Sequence, residues 1–158
     1  GMSHYAWNSD LNAQIGRYVN EHYAETLTVM GGPSIRITHE DIENFLRLNP
    51  WLAAYVMYEG ERPFVDILKH VFEHGTDLSK NTDHQLKNVA YLAGNDFHFE
   101  SISATELGTL DDFPSPYLNG YMDEFLDEEF IPLFETNRGC PFSCTCLLYT
   151  SDAAEDTP

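Results

Sequence analysis

The stretch Thr26–Pro33, T-L-T-V-M-G-G-P, reads as a short covered strand that ends on two glycines and a proline. β-branched and apolar residues suit a pleated, buried surface, and Gly31-Gly32-Pro33 closes the run. Upstream, G-M-S-H-Y-A-W (Gly1–Trp7) has the character of the last residues of another strand. Asn8 or Ser9 can cap a following helix, because a short side-chain oxygen accepts a free backbone N–H. Leu11, Ile15, Tyr18, Val19 and His22 then recur at helical spacing and are expected to form one buried stripe. Downstream, Thr38 with Asp41 three residues on predicts a capping box, and Ile42, Phe45 and Leu46 predict a core face ending at Asn49-Pro50. Leu52–Met57, L-A-A-Y-V-M, is a third strand. Glu59-Gly60-Glu61 makes a turn, and Pro63 suits the first turn of a helix carried to Gly75 by Phe64, Ile67, Leu68, Val71 and Phe72. Strand and helix thus alternate three times with short loops, which predicts an α/β fold with a parallel sheet covered by helices.

Ligands of such sheets bind at the carboxyl ends of the strands. Ser3 and Gly31-Gly32 fall at two such ends, and glycine there lets a ligand approach the backbone. Simple turn formation would explain the glycine pair equally well. The combination of Ser3, a helix, V-M-G-G-P and the E-G-E turn resembles the cobalamin-binding domain that precedes the barrel in B12-dependent radical S-adenosylmethionine (SAM) enzymes. The resemblance implies a Rossmann-like, flavodoxin-like domain in which Ser3, Gly31 and Gly32 line the cleft for the nucleotide tail of cobalamin. Tyr58 departs from the usual G-E-G-E turn by replacing its first glycine. The D-x-H-x-x-G loop of cobalamin carriers would precede Gly1.

A second cluster lies at the other end. Phe134–Cys146 reads F-E-T-N-R-G-C-P-F-S-C-T-C and holds all three cysteines of the chain within seven residues. Thiolates this close on a loop can share one soft metal centre, whereas a disulfide would leave one over. E-T-N-R-G-C-P-F-S-C-T resembles the cluster loop of radical SAM enzymes, in which C-x3-C-x2-C binds a [4Fe–4S] cluster. Cys140 and Cys144 match the first two positions; the third would be 147, where Leu147 stands, with Cys146 beside it. The resemblance therefore implies metal ligation by Cys140, Cys144 and Cys146, SAM as a further cofactor, and an electron donor such as a flavodoxin or ferredoxin. It also implies a 5′-deoxyadenosyl radical that abstracts hydrogen from a small-molecule or peptide substrate, with methyl transfer to an unactivated carbon as one outcome.

The segment C-L-L-Y-T-S-D-A-A from Cys146 looks like translated sequencing adapter, so 146–158 is expected to be a non-native tail. The chain is expected to be a piece truncated at both ends. It divides into a partial cobalamin-binding domain at 1–75, a hairpin and acidic connector at 76–129, and the first strand and cluster loop of a β/α barrel at 130–145. The hairpin signal is Ala93-Gly94-Asn95-Asp96 between two apolar runs. The string L-D-D-F-P-S-P-Y (Leu110–Tyr117) resembles the family's connector, and Asp123–Glu129 predicts a short acidic helical turn.

The formal net charge is −18, from 26 acidic and 8 basic residues, and Glu100–Glu135 contains no Lys or Arg. That balance argues against a phosphate-binding surface for nucleic acid or an anionic membrane. No apolar run approaches the roughly 18 residues of a membrane span. Clustered cysteines without a secretion signal fit a reducing cytoplasm. Two other classes compete with the radical enzyme. One is a non-catalytic cobalamin- or nucleotide-binding module. The other is a zinc hydrolase using His70-Val-Phe-Glu73-His74, an H-x-x-E-H signature; there, a core stripe of Phe64, Leu68, Val71 and Phe72 is expected to turn both histidines towards solvent.

Overall fold

A computed structural model describes residues 1–36, 38–80, 86–102, 112–126 and 131–133. Two compact units are present: the first contains the described residues of Gly1–Ile102, the second those within Ser103–Ser143.

The first unit is a five-stranded mixed sheet with helices between its strands. Strands β1 (Met2–Ser3), β2 (Val29–Gly31) and β3 (Ala54–Val56) are parallel neighbours, with Ser3 opposite Gly31 and Gly31 opposite Val56. Helix α1 (Ser9–His22) joins the first pair, α2 (His39–Leu48) the second, and α3 (Glu61–His74) follows β3. The expected α/β, Rossmann-like arrangement is therefore present. A hairpin of β4 (Val89–Ala93) and β5 (Asp96–His98) then extends the same sheet in antiparallel fashion, in the order β1-β2-β3-β4-β5. Gly94 turns that hairpin at φ +62°.

Alternation along the strands builds two cores. Met30, Tyr55 and Ala90 face one cluster with Ile42, Leu46 and Trp51. Their neighbours Val29, Ala54, Val56, Val89 and Tyr91 face the other, with Ile67, Leu78 and Leu86. Both sheet faces are thus covered, as successive side chains of a strand point to opposite sides. Ile42, Leu46 and Ile67 are essentially sealed from solvent, each burial contributing about 1.5–3 kcal/mol.

The helix ends follow their caps. Thr38 Oγ1 accepts the Asp41 amide at 3.1 Å and donates to Asp41 Oδ2 at 2.7 Å, opening α2. Gly75, at φ +80°, closes α3 by donating its amide to the Val71 carbonyl at 2.9 Å.

The faces of α1 and α3 differ from the expected ones. Leu11, Ile15 and Tyr18 are exposed, and α1 instead buries Asn12 and Gly16. The cause is local. Asn12 Nδ2 donates to the Ser3 carbonyl at 2.7 Å, and Gly16 admits the Trp51 ring so closely that a Cβ would lie 2.0 Å from it. A polar bond and a backbone–ring contact orient the helix against its own apolar stripe. In α3, Phe72 is 88% exposed while His70 is buried. His70 Nε2 shares a hydrogen bond with the Asp77 carbonyl at 3.0 Å, so the chain after Gly75 folds back over the imidazole.

Asn88 locks the hairpin onto the sheet. It is fully buried at φ +55°, its amide donates to the Glu100 carbonyl, its carbonyl accepts from the Met57 amide, and its Oδ1 accepts the Ile102 amide, each at 2.8 Å. An asparagine tolerates this left-handed backbone better than most residues.

In the second unit, Asp123–Phe125 forms a 3-10 turn where an acidic helical turn is expected. Tyr117 Oη donates to the Leu133 carbonyl at 3.1 Å and accepts its amide at 3.2 Å. Ile131–Leu133 make no strand ladder among the described residues. The cluster loop, with Cys140, Cys144 and Cys146, lies outside the described residues, as does the 146–158 tail.

Candidate functional site

At the carboxyl ends of β1, β2 and β3 lies an open cleft of about 510 Å³. Ser3, Gly31 and Gly32 all line it, together with Val56, Tyr58, Gly60, Glu61 and Phe64. Residues far apart in the chain meet here because parallel strands present their carboxyl ends on one edge. The volume falls within the roughly 300–1,000 Å³ range of small-molecule sites.

Each glycine has a steric reason. Gly32 sits at φ +131°, and a Cβ there would lie 2.5 Å from the His4 carbonyl oxygen. A Cβ on Gly31 would lie 3.1 Å from the Val56 carbonyl oxygen. The His4 amide donates to the Gly31 carbonyl at 2.6 Å, so the strands close tightly around the pair. On the other side Ser3 is exposed to the cleft, while its carbonyl accepts from both Asn8 Nδ2 at 2.9 Å and Asn12 Nδ2 at 2.7 Å.

A buried polar chain supports this floor. Tyr55 Oη donates to the Gly32 carbonyl at 2.7 Å and lies 3.2 Å from His4 Nδ1. The tyrosine has one proton, which the carbonyl takes, so His4 must donate from Nδ1. That makes His4 the Nδ1–H tautomer. Burial holds its imidazole below the ordinary value near 6.5 and pushes the Tyr55 hydroxyl well up, so both are neutral at pH 7. His4 also stacks on Phe45, with centroids 5.1 Å apart. It is thus a structural histidine beneath the glycine loop.

The H-x-x-E-H helix makes no comparable site. His70 and His74 have ring centroids 5.1 Å apart, but His70 is committed to the Asp77 carbonyl and His74 lies 3.6 Å from Glu73. The Ser79 hydroxyl and amide hold the Asp77 carboxyl below the usual carboxylate range. No group of three or more His, Cys, Asp or Glu side chains among the described residues is placed to hold a metal. No helix among them is long and apolar enough to cross a membrane.

The helical stripe predicts Phe64 in the core, and the turn motif marks Tyr58 only as a departure from its usual glycine. Both line the cleft. The signal for them was position, since the E-G-E turn follows a strand whose carboxyl end faces the same edge as Gly31.

No family model matches the chain. The cobalamin-dependent radical SAM methyltransferase TokK of Streptomyces tokunonensis is 32% identical over 151 residues, covering 91% of this chain. Over that length the chain is a homologue of cobalamin-dependent radical SAM proteins. The 2-(S-pantetheinyl)-carbapenam-3-carboxylate methyltransferase of Streptantibioticus cattleyicolor is 31% identical over 149 residues, covering 90% of the chain. The chain spans about a fifth of the length of these curated relatives, 21% in each case.

Proposed function

We propose that this chain is part of a cobalamin-dependent radical SAM methyltransferase, and that its cleft takes the nucleotide tail of cobalamin. The observation that carries the reading is the convergence of Ser3, Gly31 and Gly32 on one cleft at the strand ends, in a chain homologous to cobalamin-dependent enzymes. The residues fit the group. Gly31 and Gly32 present bare main chain to the cleft, while their Cβ directions point at the Val56 and His4 backbone, so the floor a flat ring and a sugar would meet carries no side chain. Ser3 offers a hydroxyl at the rim as donor or acceptor.

In this reading Cys140 and Cys144 would be two ligands of a [4Fe–4S] cluster that also binds SAM, with Cys146 one residue short of the third ligand position. When bound, cluster and SAM supply a 5′-deoxyadenosyl radical, and cobalamin supplies the methyl group for an unactivated carbon of a small-molecule substrate. The chain's own residues do the positioning. Gly31 and Gly32 admit the tail, Tyr55 and His4 hold that loop still, and the apolar side chains of Val56 and Phe64 flank it. An electron donor of the flavodoxin or ferredoxin kind is the partner this chemistry needs.

The test is spectroscopic. After anaerobic reconstitution, the chain is titrated with hydroxocobalamin and assayed for iron, sulfide and cluster absorption, beside a Ser3→Leu variant that fills the cleft rim. The proposal expects saturable cobalamin binding weakened in Ser3→Leu, and iron uptake by the wild type. Cobalamin binding without iron would leave a binding module; no cobalamin binding would refute the reading.

A further inference from the structure

Tyr58 carries a cost that the fold does not explain. Its φ is +59°, and among the described residues the other non-glycine with positive φ is Asn88. For Asn88 the return is visible, since its backbone and side chain tie the hairpin to the sheet. In a tyrosine the left-handed conformation drives Cβ towards the following carbonyl, and such strain persists where something else holds it in place. Core packing does not hold it. Tyr58 belongs to neither buried cluster and keeps 37% of its surface exposed. A glycine would adopt the same backbone without strain. What tyrosine adds is a large flat side chain at the lip of the cleft, with Phe64, likewise 37% exposed, lining the same cleft.

We propose that Tyr58 is a ligand-binding residue: with Phe64 it forms an aromatic wall on which a planar heteroaromatic base stacks once the Gly31-Gly32 floor has admitted it. The inference rests on the cobalamin reading, in which that base belongs to the nucleotide tail, and it names the residue that discriminates ligands with a base from those without one. Stacking on an aromatic side chain is tolerant of ring identity, so Tyr58 selects for a flat π face rather than for a hydrogen-bonding pattern.

The experiment compares wild type, Tyr58→Gly and Tyr58→Phe in the full chain, by thermal melting and by titration with cobalamin and with cobinamide, which lacks the base. Tyr58→Gly should melt higher than wild type, bind cobalamin about tenfold more weakly, and bind cobinamide unchanged. Tyr58→Phe should retain cobalamin affinity within about twofold of wild type. The proposal is overturned if Tyr58→Gly binds cobalamin like wild type, if it loses cobinamide to the same degree, or if it melts lower. A wild-type chain that binds neither cobalamin nor the free base riboside would overturn this proposal and the cobalamin reading together. Binding of cobalamin that is indifferent to Tyr58 overturns this one alone.

Discussion

The Tyr55 hydroxyl donates to the Gly32 carbonyl at 2.7 Å, from a side chain with no exposed surface. This bond joins the middle strand of the sheet to the floor of the cleft. It also takes the only proton Tyr55 has, which dictates that His4 donates to Tyr55 from Nδ1. Replacing Tyr55 by Phe keeps the volume and leaves the buried His4 imidazole and the Gly32 carbonyl without this partner. Tyr55→Phe should therefore lose about 1–3 kcal/mol of stability, read from urea unfolding. Cobalamin affinity should fall several-fold, because Gly32 loses its tether.

The two cleft glycines should differ sharply when given a Cβ. At Gly32 the methyl meets the His4 backbone at 2.5 Å and the backbone is at φ +131°. Gly32→Ala should cost more than about 2 kcal/mol, since neither the clash nor the dihedral relaxes cheaply. Gly31→Ala, 3.1 Å from the Val56 oxygen, should cost about 1 kcal/mol. Equal losses in chemical denaturation would contradict the geometry.

Gly16 is unusual in that a better helix former should harm the protein. Alanine is favoured over glycine in a helix by about 1 kcal/mol. Here its methyl would lie 2.0 Å from the buried Trp51 ring, and overpacking costs about 1–3 kcal/mol. Gly16→Ala should be net destabilising, and Trp51→Leu in the same chain should recover part of the loss. A double-mutant cycle measures that coupling.

His4 predicts a pH dependence with a definite sign. Burial lowers its pKa below the ordinary value near 6.5, so the unfolded chain binds that proton more readily than the folded one. The contribution is fully present above pH 6.5 and is lost as pH falls from there towards the lowered folded-state value. Wild-type stability should therefore drop between pH 7.5 and 5.5 more steeply than that of His4→Gln. Parallel curves would place His4 outside the linkage.

Much of this architecture was readable from the chain. Thr38 with Asp41, Pro63 and Gly75 are local signals, and they set helix ends where the structure has them. The alternation of Met30, Tyr55 and Ala90 against Val29, Val56 and Val89 carries both cores in the strands alone. Less readable were features decided by single contacts between distant residues. The stripe Leu11-Ile15-Tyr18 is correctly spaced for a buried face, yet the Asn12–Ser3 bond and the Gly16–Trp51 contact turn it outward. The stripe Phe64-Leu68-Val71-Phe72 points His70 to solvent, whereas the chain after Gly75 returns over the imidazole and buries it. In the cleft, Ser3, Gly31 and Gly32 could be placed together from strand ends, whereas the left-handed backbone of Tyr58 is a property of the folded turn.

The most direct test of the account is where cobalamin protects the backbone. Hydrogen–deuterium exchange, followed by mass spectrometry with and without hydroxocobalamin, reports this residue range by residue range. Slowed exchange is predicted at 1–5, 29–32 and 56–64, with the hairpin at 89–98 unchanged. Binding accompanied by protection at the hairpin, with none at Gly31 and Gly32, would contradict the assignment of the cleft.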